Sequence, residues 1–488
     1  MADSQRPNIL FICTDQQRYD AAGCYRNPHI QTPTIDRLAR DGVLFEQCYV
    51  QNPVCAPSRA SLVTGQYVHT HGLWANGVEL PPHAPLVSRA LAEGGYDCGM
   101  IGKMHLASCF SGRTEPRREH DGYGFYRWAH DPSHASSENE YHQWLAEHHP
   151  VLYEQAKAGG ARQRHQAAAF DTLPTEAHYT RWASEMALEF LHDHRDPEQP
   201  FFLWLNYFDP HHPFVAPREY LDRYDPEALP DPITAPDELA TKPAIQTDAS
   251  RESYAGYARG FADHTSRDIK QIIAAYYAMA TLIDDEMARV LAALNELGLA
   301  EDTVVIFTSD HGEMLGDHQL LLKGPLLYES AVRVPLILRW PGQLPAGTRR
   351  SELVEWIDLT STFLDAAGLD HMPGAQGMSL LPLARGDADA EGRGWALCEY
   401  RDSGHGYDPP VHLTMLRRGH HKLIVQHGQP ATARPRTGEL YDLKADPQEL
   451  RNLWDDPAAA GIQIDLERFL LDALVATEDR SQPREAHW

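Results

Sequence analysis

The sequence predicts an α/β protein: a large mixed, mostly parallel sheet sandwiched by helices, with a smaller C-terminal subdomain of antiparallel sheet plus helix. Three observations carry that expectation. Apolar runs such as Asn8–Thr14, Phe201–Tyr207 and residues 304–308 are hydrophobic without alternation, as strands buried on both faces must be. Stretches of helical periodicity lie between them, the order that winds a parallel sheet. After residue 384 the texture changes, and residues 385–460 break into short strand-like runs with turns. At 488 residues the chain is long enough for one large core and an appendage. The expected division sets a large α/β domain, 1–384, against a C-terminal subdomain, 385–488.

The elements follow in order. Residues 34–41 and 85–94 read as helices, and 99–102 as a short strand. Residues 107–175, rich in His, Glu, Gly and Arg with weak periodicity, read as a long surface insertion acting as a lid. Trp182, Met186 and Phe190, with Ala187 and Leu191, recur at helical spacing. Residues 215–250 are rich in Pro and Asp and are expected to be irregular. A long helix is predicted from about residue 268 to 297, stopped by Gly298. Residues 334–338 read as a further strand.

Charge and composition exclude several functions. With 43 basic and 69 acidic residues the net charge is −26, which argues against nucleic acid as a partner. Any anionic substrate must then be met by local cations. No apolar stretch approaches the ~20 residues that span a bilayer, and the run after Arg6-Pro7 is too short for a signal segment. The expectation is a cytoplasmic protein with no membrane partner. Seven cysteines without a CxxC pair predict neither a disulfide scaffold nor a structural zinc site. Most should be small buried hydrophobes, and Cys55 is the exception.

In sheets of this type ligands bind beyond the carboxyl ends of the strands. Asp15 follows the first strand there. Asp310 follows another, in Ser309-Asp310-His311-Gly312-Glu313, where Gly312 is expected to permit a sharp turn. Two acids on one rim repel unless a cation lies between them. A hard cation held by Asp15, Asp310 and Gln16, with His311 near, is the economical answer. In Cys55-Ala56-Pro57-Ser58-Arg59, Pro57 suits the first turn of a helix, so Cys55 should stand at a helix N-terminus. That end favours an anionic nucleophile or a bound anion. The pairs His211-His212 and His420-His421 are set aside as zinc sites, because neighbours on an extended chain point opposite ways. Gly102-Lys103 is set aside as a phosphate loop, because Met104 stands where Ser or Thr is needed.

The pentapeptide at Cys55, followed closely by Thr64-Gly65, resembles the sulfatase signature, in which the Cys is converted to formylglycine. Other blocks resemble that family in the same order: Pro7-Asn8-Ile9-Leu10, Gly102-Lys103-Met104-His105, Pro210-His211-His212-Pro213, Ser309 to Glu313 with Gly316-Asp317-His318, and Lys323 with Tyr328-Glu329. Glu439-Leu440-Tyr441-Asp442 follows late in the chain. The resemblance implies a sulfuric ester hydrolase of the alkaline phosphatase superfamily, using formylglycine at position 55 and one divalent cation. Calcium is the first expectation for that ion, with manganese or magnesium as alternatives. It implies that Asp15, Gln16, Cys55, Asp310 and His311 hold the metal. It further implies that Arg59 fixes the hydrated aldehyde, Lys103 grips a sulfate oxygen and His105 takes the proton of the second hydroxyl. His211 and Lys323 would bind the ester oxygen and protonate the leaving group, and Asn76 would touch substrate. The partners implied are a small sulfated substrate and, during maturation, a formylglycine-generating enzyme, with a homo-oligomer left open.

Two departures bear on substrate. Many sulfatases carry two consecutive acids after the first strand, where this chain has Asp15-Gln16, and many have Asn where it has His311. Both resemble a bacterial branch that includes phosphonate monoester and phosphodiester hydrolases, which is the alternative reading. Lys103 and His105 argue for sulfate, since that branch lacks the pair. A third reading, a sulfate-binding protein without catalysis, requires Cys55 to remain a thiol.

Overall fold

In the computed structural model, residues 6–109, 112–155, 173–428 and 436–478 are described. Strand β1 (Asn8–Thr14) is buried along its whole length. Its Ile9, Phe11 and Cys13 enter one apolar core, and its Leu10 and Ile12 enter another. That division follows from the two-residue period of a strand. The further strands are β2 (Val43–Tyr49), β3 (Asp97–Gly102), β4 (Phe125–Trp128), β5 (Phe201–Tyr207), a two-residue β6 (Ala258–Arg259), β7 (Thr303–Ser309), β8 (Arg333–Arg339) and β9 (Thr348–Glu355). All but β6 form one sheet in the order β4-β3-β5-β1-β7-β8-β2-β9. From β4 to β7 the neighbours run parallel. Strand β8 is antiparallel to both β7 and β2, and β9 is parallel to β2. Four consecutive parallel strands, β3, β5, β1 and β7, therefore end on one rim.

The helices used below are α1 (Pro33–Arg40), α2 (Cys55–Thr64), α3 (Val68–His71), α4 (Val87–Glu93), α5 (Glu140–His148), α6 (Tyr179–Glu189), α7 (Ser266–Glu296), α8 (Asp358–Ala366) and α9 (Ala460–Ala476). Leu62 and Val63 of α2, Leu91 of α4 and Phe363 of α8 pack on one face of the sheet. Trp182 and Ala187 of α6, with Ile283, Met287 and Val290 of α7, pack on the other. Helix α7 starts at a capping box in which Thr265 and Asp268 each accept from the other's backbone amide. It stops before Gly298, whose φ is +70°. Beyond the large sheet, β10 (Trp395–Arg401), β11 (His412–Arg418), β12 (His421–Gln426) and β13 (Thr437–Asp442) form an antiparallel meander. Leu397, Leu416, Leu423 and Leu440 of that meander share a core with Leu466 and Leu470 of α9.

Three local expectations change. Part of the stretch 107–175 is not a surface lid: β4 extends the main sheet and α5 buries Tyr141 and Leu145. Residues 110–111 and 156–172 of that stretch lie outside the described residues. The stretch 215–250 holds short helical turns and a helix at Ala244–Arg251. His211 and His212 sit in a bend rather than on extended chain, and His420 ends a turn from which His421 opens β12. The His211 and His212 rings accordingly stack 4.0 Å apart, and those of His420 and His421 lie 4.2 Å apart. Among the described residues the cysteines form no disulfide, and all but Cys24 are buried. No described helix is long and apolar enough to cross a membrane.

Candidate active site

The rim is built from strand register. Thr14 of β1 pairs with Ser309 of β7, so the next residues, Asp15 and Asp310, leave the sheet side by side. The amide of Asp310 donates to the Thr14 carbonyl at 3.2 Å. Strand β3 passes to Lys103 through Gly102, whose φ is +92° and whose Cβ, if present, would stand 2.4 Å from the Asn206 carbonyl oxygen. Only glycine meets both demands. The segment after β5 brings His211 to the same rim. Helix α2 begins at Cys55, so its N-terminal end faces these groups. Asn76 holds that end in place, accepting from the Ala56 amide at 3.2 Å and donating to the Tyr254 hydroxyl at 3.4 Å. Gly312 is required for a different reason from the turn expected of it. A Cβ there would meet the Ser330 carbonyl at 1.9 Å, so close backbone approach dictates the residue.

Cys55 lies where these elements converge. Its Sγ is 3.1 Å from His311 Nε2, 3.0 Å from Lys323 Nζ and 3.5 Å from Asp15 Oδ1. His105 and His211 interact with it electrostatically. Lys323 Nζ is 2.9 Å from His211 Nε2, and Lys103 Nζ donates to Asp15 Oδ2 at 2.7 Å. All eleven residues singled out in the sequence are thus at or beside one point. Arg59 faces differently from expectation. Its guanidinium donates to Asp310 at 2.8 Å, to the Lys103 carbonyl at 2.6 Å and to Asn206 at 2.9 Å, with Asp15 at 3.5 Å. These bonds go to the two carboxylates and their surroundings, with Cys55 not among them.

The buried charges tune one another. Burial pushes the Cys55 thiol up, but Lys103, Lys323 and His311 outweigh it and hold the thiol well below its ordinary range. Asp15 is likewise raised by burial and by Cys55, yet Lys103, His211 and Lys323 leave it below the usual carboxylate range. His105 is lowered to about 4, chiefly by burial and then by Lys103, so it is a neutral base at pH 7. Burial also lowers His211, reinforced by Lys323.

The donor set fits a cation. One atom each from Asp15, Cys55, Asp310 and His311 lies within 4.8 Å of the others, and all four residues are buried. His311 Nδ1 lies 2.9 Å from the Gly312 carbonyl, which fixes its proton there and leaves the Nε2 lone pair toward the cluster. Gln16 donates its amide to Glu313 and lies 3.1 Å from His212 Nδ1. Its Oε1 is buried and has no hydrogen-bond partner, the condition of an oxygen made to meet something else.

Several contributors escaped sequence reasoning. Asn206 and Glu313 are polar residues inside or just after strands, and no spacing rule marks them. Glu115 accepts from the amides of His105 (2.8 Å) and Leu106 and from Trp128 Nε1 (3.2 Å), which steadies His105 at a φ of +64°. Tyr254, whose ring centre is 5.9 Å from Lys323 Nζ, comes from a segment without periodicity.

Comparison with known proteins places the chain in a family. The sulfatase family matches residues 7–369, and the C-terminal family of N-sulphoglucosamine sulphohydrolase matches residues 316–475. The multifunctional alkaline phosphatase superfamily protein PehA of Trinickia caryophylli is 33% identical over 98% of this chain and 96% of its own. The arylsulfatase of Clostridium perfringens is 30% identical over 92% and 90%. Among solved structures, the phosphonate monoester hydrolase of Agrobacterium radiobacter superposes with a TM-score of 0.82 at 26% identity, covering 98% of this chain and 97% of that one.

Proposed function

The chain belongs to the sulfatase family, and on that premise we propose how its rim hydrolyses a sulfate ester. It is a sulfuric ester hydrolase. The observation that carries the mechanism is the simultaneous approach of Asp15, His311 and Lys323 to the side chain at position 55.

In our reading a formylglycine-generating enzyme converts Cys55, and the hydrated aldehyde then supplies two hydroxyls: one attacks sulfur as the ester S–O bond breaks, and loss of the other's proton lets sulfate leave. Asp15, Gln16, Asp310, His311 and the side chain at position 55 would hold one divalent cation, calcium first, with manganese or magnesium as alternatives. When bound, that ion draws charge from the sulfuryl oxygens. The protein's own groups do the rest. Lys103 and Lys323 face the sulfate with their ammonium groups and counter a −26 chain locally. Lys323 Nζ, hydrogen-bonded to His211 Nε2, carries the proton for the leaving oxygen. His105, neutral at pH 7, accepts the proton of the second hydroxyl. Arg59 keeps Asp310 and Asp15 aimed at the ion.

A small sulfated molecule suits the site. The C-terminal part, which we divide from the rest at 384/385, reaches it through Ser403, whose carbonyl accepts from the Asn76 amide at 2.9 Å. Neutral Gln16 in place of a second acid supports one further reading, hydrolysis of a phosphonate monoester or phosphodiester at the same centre. Turnover of an aryl sulfate and of a phenyl phosphonate monoester by fully converted enzyme, at matched concentration, separates the two. Faster sulfate turnover is expected, and the opposite order would transfer the assignment to the phosphonate reading.

A further inference from the structure

Behind the catalytic rim a second group of potential ligands packs around His105. One nitrogen of His105, the Cys109 sulfur and one nitrogen of His130 lie within 4.8 Å of one another. Cys109 Sγ is 3.1 Å from His130 Nδ1, and the His105 and His130 rings meet edge to face at 4.6 Å. Only 6% of His105 and 5% of Cys109 are exposed. The His130 side chain is 14% exposed, and the Asp131 carboxylate lies 4.0 Å from its Nε2. His105 Nδ1 is buried without a hydrogen-bond partner.

We propose that His105 Nδ1, Cys109 Sγ and His130 form a binding site for a soft divalent cation such as zinc, and that filling it stops turnover by fixing the tautomer of His105. Two imidazoles and a thiolate form the ligand set of such ions, unlike the oxygen-rich set at Asp15 and Asp310. A tetrahedral zinc spaces sulfur and nitrogen about 3.5 Å apart, so Cys109 and His130 need part only slightly. Three protein ligands leave a fourth position for water, as in exchangeable rather than structural sites. On binding, the Cys109 S–H proton passes to solvent and the sulfur pair forms the S–metal bond. The lone pair of His105 Nδ1 forms another, which forces its proton onto Nε2.

The consequence for turnover rests on the reading that His105 is the base for sulfate release. An imidazole with metal on Nδ1 and hydrogen on Nε2 has no lone pair left for the second hydroxyl. The first transfer, which does not use His105, proceeds, and release stalls. Zinc should therefore leave a burst of about one leaving group per enzyme and abolish the steady state.

Two measurements keep site and consequence apart. Cobalt(II) is added to the Cys55→Ser protein, which has no sulfur at the catalytic centre. A thiolate-to-cobalt absorption band is expected, and it should vanish in C55S/C109A and in C55S/H130Q. No band in C55S, or a band that survives both second substitutions, overturns the site. On converted enzyme with an aryl sulfate, zinc should suppress the steady state but not the burst. Cys109→Ala, with its basal rate intact, should raise the inhibiting zinc concentration at least tenfold. A cobalt band with turnover unchanged by zinc overturns the consequence, and equal zinc inhibition of C109A and the parent does the same.

Discussion

The catalytic rim and the seam between the two sheets bury charge to a similar degree, yet they are built on opposite terms. At the seam carboxylates share cations. Glu355 and Asp358 share Arg393 at 2.8 and 2.7 Å, Glu329 and Glu449 share Lys422 at 3.2 and 2.8 Å, and Glu399 faces His69 at 2.6 Å. At the rim Lys323 meets two imidazoles and a thiol, with no carboxylate within ion-pair distance among the described residues, and Gln16 and His105 each keep one polar atom unpartnered. Strongly shifted protonation occurs in both places, so burial and shifted pKa do not by themselves mark function. Unpartnered buried atoms also occur away from the rim, at Tyr400, Gln426 and Trp182 for example, so what distinguishes the rim is that such atoms gather beside one cluster of acids, imidazoles and a thiol.

Replacing the nucleophile tests the rim most severely. Cys55→Ala should lower aryl sulfate turnover on the order of 10⁴-fold or more while leaving the thermal midpoint nearly unchanged. Turnover that survives the substitution would remove position 55 from the chemistry. Lys323→Met sharpens the contrast. Loss of the leaving-group proton should slow kcat roughly 10²–10⁴-fold, while the midpoint should hold or rise, since a crowded ammonium has been removed. A clear fall in the midpoint would show that the rim is paired for stability after all.

The seam should answer in the reverse sense. Arg393→Ala leaves Glu355 and Asp358 buried without their cation, which should cost about 3–5 kcal/mol in urea unfolding. KM and kcat of the folded protein should not change. A shift in KM without loss of stability would erase the distinction between the two regions.

How much of this could be read from the chain depends on what each element faces. Strands β1, β5 and β7 are apolar throughout because both faces are covered, and their continuous runs make them legible. Strand β9 is missed because it forms the sheet edge and reads Thr348-Arg349-Arg350-Ser351-Glu352, the charge that keeps an edge from pairing further. Strand β4 is missed likewise, a short edge strand on the opposite side. In the site, Asp15, Asp310 and Cys55 are legible because strand ends and a helix start fix their positions. Arg59 is legible as a site residue, but its direction is not: one turn from Cys55 it could face either way, and Asp310 and Asn206 decide. The His105–Cys109–His130 group is invisible to spacing rules, because β4 must fold against β3 before His130 comes near.

The smallest expected effect is a pH dependence at the seam, through His69 of α3. Its Nδ1 faces Glu399 and its Nε2 faces the Thr477 carbonyl at 2.9 Å, so both ring nitrogens meet acceptors and the imidazolium suits the site. Burial opposes that charge, but the Glu399 bond and charge, with Thr477, raise the pKa above its ordinary value. A raised base stabilises the fold fully below the ordinary histidine value of about 6.5, and that contribution fades as pH climbs through the folded value. Glu399 behaves oppositely. Burial raises it, but His69 and then Arg401 bring it down to about 2, so its share is lost only in acid, as pH falls toward that value. Glu355, pushed up to about 7 mainly by burial, adds a further loss on rising pH, but it is common to parent and variant and cancels in their difference. His69→Gln should therefore cost about 1–2 kcal/mol at pH 6 and much less at pH 8.5, by urea unfolding. An equal cost at both pH values would mean that His69 is neutral in the fold, and the seam would then owe nothing to its charge.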